Sequence, residues 1–287
     1  MKLSVIIPCF NAASTIAVQL DALAQQQWSE PWEVIIADNG STDASISIAE
    51  QYKERIPNLR VVDASKHRGA AHAKNVGAIA ATGESLAFCD ADDEVADGWV
   101  AAMGNALQKY DFVACRLEYE RLNELWARTH RSHSQQERLQ DYRYPRYLPH
   151  AAGGTIGVKR SLYQTVCIFD ESIPILDDTD FCWQLQLAGV ELHFLPEAVV
   201  HYRFRDTLKG IYQQAQAYGE SNVLLYKKYR PLGMPELSFL EGCKAWLRLL
   251  KRIPKTIRPE ERAHWVRDFA WHLGRLKGSI KYHVWAL

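Results

Sequence analysis

"KLSVIIPCF" at residues 2–10 decides the fold class, because it is an apolar run of strand length followed at once by a helical pattern. The spacing of Ile16, Leu20 and Leu23 predicts that helix over residues 14–27. Nearly continuous apolar strands are buried on both faces, which is typical of parallel sheets that helices cover. The N-terminal segment therefore predicts a strand and a helix of an α/β protein.

The same alternation continues to residue 92. Further strands are predicted at 32–43, where the last residues form a turn, and at 59–64 and 85–92, with helices at 43–55 and 70–82. Strands separated by helices of this length predict a doubly wound, mostly parallel α/β sheet flanked by helices. In such sheets ligands bind beyond the carboxyl ends of the strands.

Beyond residue 110 the pattern is less regular. Extended segments are predicted at 110–120, at the start of 153–163 and at 190–204, and a helix at 175–189. Between them, residues 121–147 are polar and rich in arginine and aromatic residues. Two interpretations stay open for this stretch: a solvated helix and loop, or a mobile flap that recognises a phosphorylated or sugar-bearing substrate.

The composition is that of one large domain, or of one domain with an appendage. The chain has 287 residues, of which 47% are hydrophobic, and this is ample for a core. Its 34 basic and 34 acidic residues cancel, so the whole chain does not favour a polyanionic partner and no nucleic acid is expected. Residues 241–287 nevertheless hold eleven Lys or Arg and four Asp or Glu, a net of +7, against −7 for the preceding residues. This asymmetry indicates that the tail faces an anionic surface.

Cysteine spacing and the lengths of the apolar runs indicate the compartment. The six cysteines are scattered, without the paired spacings of zinc sites or disulfide scaffolds, which favours a reducing compartment. The opening apolar run is too short for a signal-peptide core, and no later segment reaches the length of an uncharged membrane span. We therefore expect a cytoplasmic protein, attached at most to the inner face of a membrane.

Polar side chains follow three of the predicted strands. Because the carboxyl ends of parallel strands meet at one edge of a sheet, these residues gather there. They are Asn11 after the first strand, Asp38, Asn39 and Ser41 after the second, and Asp90, Asp92 and Asp93 after the fourth. One Asn or Asp at a strand end is ordinary turn chemistry, but three clusters along one edge predict a ligand site.

The stretch "LAFCDADDEVADGW" at residues 86–99 carries the densest of these clusters. Asp90 and Asp92 are two positions apart, so they point to the same side if the strand continues through them. Paired carboxylates suit a hard divalent cation such as Mg²⁺ or Mn²⁺, whose shell is completed by phosphates and water. We expect Asp93 and Glu94 to face water or the start of the next helix.

Two further positions have both a structural and a chemical interpretation. Asp177, Asp178 and Asp180 crowd a predicted helix start, where carboxylates either cap the helix or, held close together, gain the raised pKa of a general base. His201, in the last extended segment, is either a structural histidine or a ligand for an ion such as Mn²⁺. Taken one by one, the residues leave these alternatives open.

Five sequence blocks occur together in one order. They are "SVIIPCFN" at 4–11, "EVIIADNGSTD" at 33–43, "RGAAHAKNVGAIAATGESLAFCDADD" at 68–93, "DDTD" at 177–180 and "HYR" at 201–203. As a set they resemble the family 2 glycosyltransferases of the GT-A fold, over about residues 2–204. The resemblance implies an inverting enzyme of the hexosyltransferase type. Its donor would be a nucleoside-diphosphate sugar, with UDP sugars favoured, and its product a polysaccharide, other glycan or glycolipid.

The resemblance also implies roles for single residues that bind the donor. Pro8, Phe10 and Asn11 match the loop around the base and the ribose. Asp38 matches the aspartate that hydrogen-bonds a uracil-type base. Lys74 stands where the family usually has Arg, so it offers a point charge to phosphate without the planar fork of Arg.

The same resemblance implies the residues that carry the reaction. Asp90, with Ala91 beside it, matches the D-x-D residue near the ribose. Asp92 and His201 match the ligands of a divalent metal, Mn²⁺ or Mg²⁺. In "DDTD" an Asp replaces the family's usual first Glu, and Asp178 takes the position of the catalytic base. Asp178 would then accept the proton of an acceptor hydroxyl while the metal assists departure of the diphosphate.

The chain is expected to divide near residue 204. Residues 1–204 form the predicted GT-A catalytic domain, with a nucleotide-sugar-binding part at 1–110 and an acceptor-binding part at 111–204. Residues 205–287 form a C-terminal helical extension, whose amphipathic helices carry Trp246, Trp265, Trp271 and Trp285. These helices either pack on the catalytic domain or make peripheral membrane contact through residues 240–287, near a lipid-linked acceptor.

Two other classes of function remain as alternatives. A nucleotidyltransferase would use a similar sheet with acidic metal ligands, but "PCFNAAST" after the first strand lacks the Gly-rich, basic loop that holds a triphosphate. A non-catalytic relative that only binds nucleotide sugars would keep the polar edge without its base, and the presence of Asp178 and His201 argues against this. Release of nucleoside diphosphate from nucleotide sugars separates the three functions.

Overall fold

Residues 1–56, 58–126 and 134–286 are described by the computed structural model. The strands within these ranges are β1 (Leu3–Cys9), β2 (Trp32–Asp38), β3 (Leu59–Asp63), β4 (Ser85–Phe88), β5 (Glu94–Val95), β6 (Phe112–Glu118), β7 (Ile156–Lys159) and β8 (His193–His201). The helices are α1 (Ile16–Ala24), α2 (Ser45–Gln51), α3 (Ala70–Ala80), α4 (Trp99–Lys109), α5 (Arg160–Thr165), α6 (Asp177–Leu187), α7 (Leu208–Tyr229), α8 (Phe239–Lys251) and α9 (Pro259–Tyr282). Short 3-10 turns lie at Tyr52–Glu54, Gly153–Thr155, Arg230–Leu232 and Ile253–Ile257. Of the stretch 121–147, predicted as a loop or a flap, residues 127–133 lie outside the described part.

The strands form one sheet in the order β3-β2-β1-β4-β7-β6-β8-β5. Neighbours run parallel in the β1–β2, β2–β3, β1–β4 and β6–β8 pairs and antiparallel in the β4–β7, β6–β7 and β5–β8 pairs. The predicted doubly wound, mostly parallel sheet flanked by helices is therefore confirmed. Strand order changes direction between β1 and β4, and in sheets of this kind a ligand crevice forms at such a point.

The centre of the sheet is packed on both faces, as its apolar strands predict. Ile6 of β1 and Ile35 of β2 are fully buried. Gly77 of α3 comes so close to β1 that a Cβ on it would lie 2.5 Å from Cγ2 of Ile6. The missing side chain lets α3 approach the sheet, and this close packing fixes where Lys74, on the preceding turn of α3, lies.

The fourth strand is shorter than its sequence predicts. β4 ends at Phe88, just beyond its ladder with β7, which runs from Ser85 to Ala87. Asp90 and Asp92 consequently lie beyond the strand, where the chain turns towards β5. The condition for strand alternation to point both carboxylates to the same side, a strand that continues through them, is therefore not met.

The chain contains two compact units. We call residues 1–122, 134–140 and 149–203 the sheet unit, and the described residues of 123–126, 141–148 and 204–286 the helical unit. The sheet unit holds β1 to β8 and α1 to α6, and the helical unit holds α7 to α9. The functional division into a catalytic domain at 1–204 and an extension at 205–287 stays a prediction.

Glycines allow close packing of α7 against α9 in the helical unit. A Cβ on Gly219 would lie 2.1 Å from the carbonyl oxygen of Trp271, and a Cβ on Gly274 would lie 2.0 Å from that of Gln216. Two backbones approach this closely only where side chains are missing. Among the described residues, none of the helices combines the length and the apolar composition needed to cross a bilayer.

Three of the four tryptophans in the tail pack inside the helical unit. Trp246 and Trp265 have ring centroids 6.3 and 5.0 Å from that of Phe269, and Trp271 is half-buried. Trp285, by contrast, is 72% exposed. Of these four tail residues, Trp285 is therefore the one most available for membrane contact, because the other three are half-buried.

Candidate active site

Two loops at the edge of the sheet, after β1 and after β2, are hydrogen-bonded to each other. Asn11 donates its backbone N–H to Ser41 Oγ at 3.0 Å, and its Oδ1 accepts the backbone N–H of Thr42 at 2.8 Å. Asp38, the last residue of β2, accepts the backbone N–H of Ser41 on Oδ1 at 3.0 Å. Asn11 and Asp38 thus share one polar network, and Asn tolerates the left-handed φ of 49° that the first loop requires.

Phe10 and Arg68 form a platform beside this network. The Phe10 ring is exposed, and the guanidinium carbon of Arg68 lies 4.4 Å from the ring centroid. Arg68 also donates to the carbonyl oxygens of Asn39 and Gly40 at 2.6 and 3.2 Å, which ties it to the second loop. Pro8 lies half-buried on β1, just before the first loop. An aromatic face next to a cation is a surface on which nucleotide bases stack.

Lys74 lies in the field of three carboxylates. Its Nζ is 2.9 Å from Asp177 Oδ2, and both side chains are almost fully buried. Burial lowers the pKa of Lys74, but the negative charges of Asp177, Asp90 and Asp178 raise it by more. The net shift of the pKa is upward, so the ammonium group stays charged. The predicted contact of Lys74 with phosphate stays a prediction, and its ion pair in the structure is with Asp177.

Asp178, in the first turn of α6, is half-buried and held by backbone amides. Its Oδ2 accepts the N–H of Gly153 at 2.8 Å, and its Oδ1 accepts the N–H of Thr179 at 2.6 Å. Burial and the neighbouring Asp177 raise the pKa of Asp178, while Lys74 and the two amides act in the opposite direction. A carboxylate with a raised pKa accepts protons more readily than an ordinary surface Asp, as a general base must.

Two adjacent glycines bring the backbone against these charged groups. A Cβ on Gly153 would lie 2.7 Å from Lys74 Nζ, and a Cβ on Gly154 would lie 2.8 Å from Asp90 Oδ2. Any side chain here would displace a charged partner, so the approach requires glycine. The sequence analysis assigns no function to Gly153 and Gly154. Their only sequence signal is the pair of adjacent glycines in "AAGGTIG".

Asp90 opens the turn between β4 and β5. Burial, with the charges of Asp92 and Asp178, raises the pKa of Asp90 to about 6 against the opposing charge of Lys74. The Asp90 carbonyl accepts the Nε2–H of Gln19 at 3.1 Å, and Gln19 Oε1 accepts the N–H of Val95 at 2.9 Å. Gln19 of α1 therefore holds both ends of the acidic turn, and nothing in its local sequence predicts this.

The rest of the turn is fixed by residues just beyond β8. Asp93 is only 2% exposed, and its Oδ1 accepts the backbone N–H of Arg203 at 2.8 Å. Arg203 Nε also donates to the carbonyl oxygen of Asp92 at 2.8 Å. Burial, with Asp90 and Asp92 nearby, raises the pKa of Asp93 well above its ordinary value. The expectation that Asp93 faces water or the start of the next helix is wrong, because a partner 110 positions away covers it. Ala91 is buried as well.

His201 reaches the acidic turn through the ladder of β5 with β8, in which Glu94 pairs with His201. His201 Nδ1 lies 2.6 Å from Glu118 Oε2. Burial raises the pKa of Glu118, but hydrogen bonds from His201 and from two backbone amides outweigh this and lower it. Glu94, also expected to face water or the start of the next helix, forms an ion pair with Arg121 at 2.8 Å.

The donor groups at this turn fit a divalent cation. The contact of Glu118 with Nδ1 leaves Nε2 as the ring nitrogen with which His201 would bind a metal, and such carboxylate partners commonly orient metal-binding histidines. Asp92 would add a carboxylate oxygen. No group of three or more His, Cys, Asp or Glu side chains arranged to hold an ion is found in the described ranges. Phosphate oxygens and water would have to complete the shell, as is common for Mg²⁺.

The profile of Glycosyl transferase family 2 matches residues 4–167, which is more than half of the chain. The chain belongs to glycosyl transferase family 2. This confirms the resemblance drawn from the five sequence blocks.

Relatives with curated descriptions are similar over a limited stretch. The uncharacterized glycosyltransferase YibD of Escherichia coli (strain K12) is 45% identical over 94 residues, which cover 33% of this chain and 27% of YibD. A poly(ribitol-phosphate) beta-glucosyltransferase of Bacillus spizizenii is 37% identical over 97 residues, which cover 33% of this chain and 15% of that protein. The matched stretch thus spans less than a third of the length of either relative.

Solved structures are similar over the whole chain. TarS 1-349 of S. aureus in complex with UDP superposes with a TM-score of 0.58 at 16% identity, covering 100% of this chain and 93% of that one. The mannosyltransferase PcManGT of Pyrobaculum calidifontis, in complex with GDP-Man and Mn²⁺, gives a TM-score of 0.65 at 18% identity, covering 96% of this chain and 86% of that one. At these identities the likeness shows the fold alone, which is the predicted GT-A fold with a C-terminal helical region.

Proposed function

We propose that this glycosyltransferase moves a hexosyl-type sugar from a nucleoside-diphosphate sugar to a hydroxyl group of a glycan or lipid-linked acceptor, with inversion. The observation that carries the proposal is the environment of Asp178, a half-buried carboxylate whose pKa is raised by burial and by Asp177. Half-burial leaves the carboxylate within reach of an acceptor, while the raised pKa favours proton uptake. The polar edge formed by the first two loops supports a donor site close to the acidic turn.

The proposed reaction is a single displacement. The acceptor oxygen attacks the anomeric carbon and forms the new glycosidic bond, while Asp178 takes the proton of the acceptor hydroxyl. The bond between the anomeric carbon and the diphosphate oxygen breaks, and the nucleoside diphosphate leaves with the electron pair. Because attack and departure occur on opposite faces, an α-linked donor gives a β-linked product.

The proposed donor site lies along the loops after β1 and β2. Phe10, beside Arg68, offers a face for the base, and Asn11 and Asp38 offer the polar network around it. Structural neighbours are solved with UDP, UDP-GlcNAc and GDP-Man, which supports a nucleoside-diphosphate sugar as donor. A preference for uridine rests on the position of Asp38 alone and stays part of the proposal.

A divalent cation, Mn²⁺ or Mg²⁺, is proposed to bind Asp92 and Nε2 of His201. When bound, it would supply positive charge that stabilises the departing diphosphate. The structure of PcManGT in complex with Mn²⁺ supports a divalent ion in this fold. The chain's own part is to hold the two ligands in place, through Glu118 on His201 and through Arg203 on the backbone of Asp92. A cytoplasmic place of action also stays a prediction.

The proposal is tested by following nucleoside-diphosphate release from a panel of UDP, dTDP and GDP sugars. The intact chain should turn over one of them with Mn²⁺ or Mg²⁺, lose activity on chelation and regain it when the ion is restored. Asp178→Asn should lower turnover by about 10²- to 10⁴-fold, the usual contribution of a general base. Glu191→Gln, at an exposed position of the same unit, is the matched control and should be unaffected. Near-normal turnover by folded Asp178→Asn would remove Asp178 as the base.

A further inference from the structure

The helical unit exposes a row of large apolar side chains along α8. We call Phe239, Leu240, Leu247, Leu250 and the neighbouring Trp285 the apolar strip; each is more than half exposed. At about 100° per residue, the α8 members lie within about 100° of one another on the helix. The rings of Phe239 and Trp285 have centroids 6.4 Å apart, so the strip continues onto the C-terminal segment. A contiguous exposed apolar surface of this kind marks an interaction site, unlike scattered single residues.

A basic edge runs beside the apolar strip on the same helix. Lys244, Arg248 and Lys251, which we call the basic edge, recur at intervals of three and four residues and are all exposed. Lys244 pairs with Glu241 at 2.7 Å. In the described part of the chain, Arg248 and Lys251 have no carboxylate at ion-pair distance. The helix therefore carries uncompensated positive charge directly next to apolar surface.

The positive charge continues from the basic edge into a cavity of 840 Å³ within the helical unit. Arg248, Arg252 and Arg267 line the cavity together with a single carboxylate, Asp268, which pairs with Arg252 and Arg267 at 2.7 and 2.8 Å. Arg252 also lies 3.7 Å from Glu261, so two acids neutralise Arg252 and Arg267. Arg248, at the rim, is left to face an external anion.

A fully buried arginine adds to this positive field. Arg275 is almost fully buried, and its Nε and one terminal nitrogen have no hydrogen-bond partner among the described residues. Its guanidinium carbon lies 4.6 Å from the ring centroid of Trp271, which lines the cavity. Burial, with the charges of Arg275 and Arg248, lowers the pKa of His272 to about 4. The cavity region is thus electropositive, as a site facing an anion would be.

Charge complementarity identifies the occupant of this surface. An apolar strip flanked by Lys and Arg on one helix matches the boundary of a bilayer, where acyl chains lie below anionic phosphates. The net charge of +7 over residues 241–287 favours anionic lipids in particular. A second copy of the chain is a poorer occupant, because it would bring two basic edges together.

We propose that α8 docks the helical unit on an anionic lipid surface. The apolar strip enters the interfacial region of the bilayer, and the basic edge and the cavity rim at Arg248 contact lipid phosphates. Trp285, beside Phe239, anchors the N-terminal end of the strip at the interface, where tryptophan is favoured. This proposal is independent of the proposed glycosyl-transfer reaction, since all of the residues it uses belong to the helical unit.

Flotation of the full chain with vesicles tests the proposal. Vesicles of phosphatidylcholine containing phosphatidylglycerol should carry the protein upward, vesicles of phosphatidylcholine alone should carry less, and salt should weaken the binding. Arg248→Gln with Lys251→Gln should weaken partitioning about 25-fold, since each basic residue near an anionic surface contributes about fivefold. Leu247→Gln with Leu250→Gln should abolish it.

Matched control variants lie in the sheet unit. Ile79→Gln removes a more exposed apolar side chain, and Lys53→Gln with Lys109→Gln removes two exposed charges; neither should change partitioning. Nucleoside-diphosphate release should be normal in every variant, so failure to bind vesicles is separate from failure of the proposed reaction.

Three outcomes overturn the proposal. The first is absence of flotation with anionic vesicles at low salt. The second is equal loss of partitioning in the α8 variants and the control variants. The third is a protein that does not bind vesicles and has another occupant at this surface. That occupant would be soluble glycerol phosphate bound through Arg248, or a second copy of the chain in a dimer that the leucine substitutions dissociate. Circular dichroism shows whether each variant is folded.

Discussion

The sheet unit and the helical unit use charge in opposite ways. In the sheet unit a buried cation, Lys74, balances several carboxylates, so charges of both signs meet out of contact with bulk water. On α8 of the helical unit, basic side chains collect at the surface beside exposed apolar side chains. Buried mixed charge shifts pKa values and suits chemistry, whereas exposed charge of one sign suits attraction to another surface.

The strongest test of this contrast is removal of the buried cation. Lys74→Met leaves Asp177 buried without its partner and should lower the free energy of unfolding by about 3–5 kcal/mol. Chemical denaturation measures the loss. Lys74→Arg should retain more of the stability, because it keeps the charge. An unchanged free energy of unfolding in Lys74→Met would mean that the ion pair does not stabilise the fold.

Two glycine substitutions, one in each unit, test which unit binds the donor. Gly154→Ala places a Cβ 2.8 Å from Asp90 Oδ2, and Gly274→Ala places one 2.0 Å from the carbonyl oxygen of Gln216. Each should cost about 1–3 kcal/mol of stability through overpacking. Only Gly154→Ala should also weaken donor binding, measured by titration with nucleotide sugar. Equal effects of both on donor binding would contradict the assignment of the donor site to the sheet unit.

Glu118→Gln tests the predicted metal ligand His201. The substitution removes the carboxylate 2.6 Å from His201 Nδ1. Loss of such a partner commonly lowers metal affinity about 10- to 100-fold, so the Mn²⁺ concentration needed for half-maximal donor turnover should rise by that factor. Arg121→Gln, which breaks a surface ion pair with Glu94, serves as the control. An unchanged Mn²⁺ requirement in Glu118→Gln would remove His201 from the metal site.

The pH dependence of turnover tests the raised pKa of Asp178. A general base works only when deprotonated, so activity should fall on the acid side at a pH above the ordinary range of aspartates. Lys74 lowers the pKa of Asp178, and Lys74→Met should therefore move this fall to higher pH. A raised folded-state pKa also means that Asp178 opposes folding at neutral pH, and this opposition fades as pH falls through that pKa.

The local pattern of apolar residues was enough to predict many of the helices and strands. The periodicity at Ile16, Leu20 and Leu23 predicts α1 because a helix face depends on residues close in sequence. The end of β4 at Phe88 was not predictable in this way, since it coincides with the end of ladders with β1 and β7, both far along the chain. Distant pairing also explains why Asp93 is buried under the amide of Arg203.

The residues of the candidate site also differ in whether local sequence predicts them. Asp38 and Asn11 stand out because polar residues directly follow apolar strands. Gln19 and Glu118 do not stand out in the sequence. Gln19 lies within a helix and Glu118 within a strand, and their hydrogen-bond partners are distant in sequence. Tertiary contacts that hold a site in place leave little local trace in a sequence.

Inversion at the anomeric carbon is what the proposed role of Asp178 requires. Proton NMR of the first product formed from an α-linked nucleotide sugar, recorded before any free sugar mutarotates, reads the configuration directly. A β-configured product is expected, because attack and departure take place on opposite faces. An α-configured product would mean two displacements, and Asp178 could then not act as a simple base.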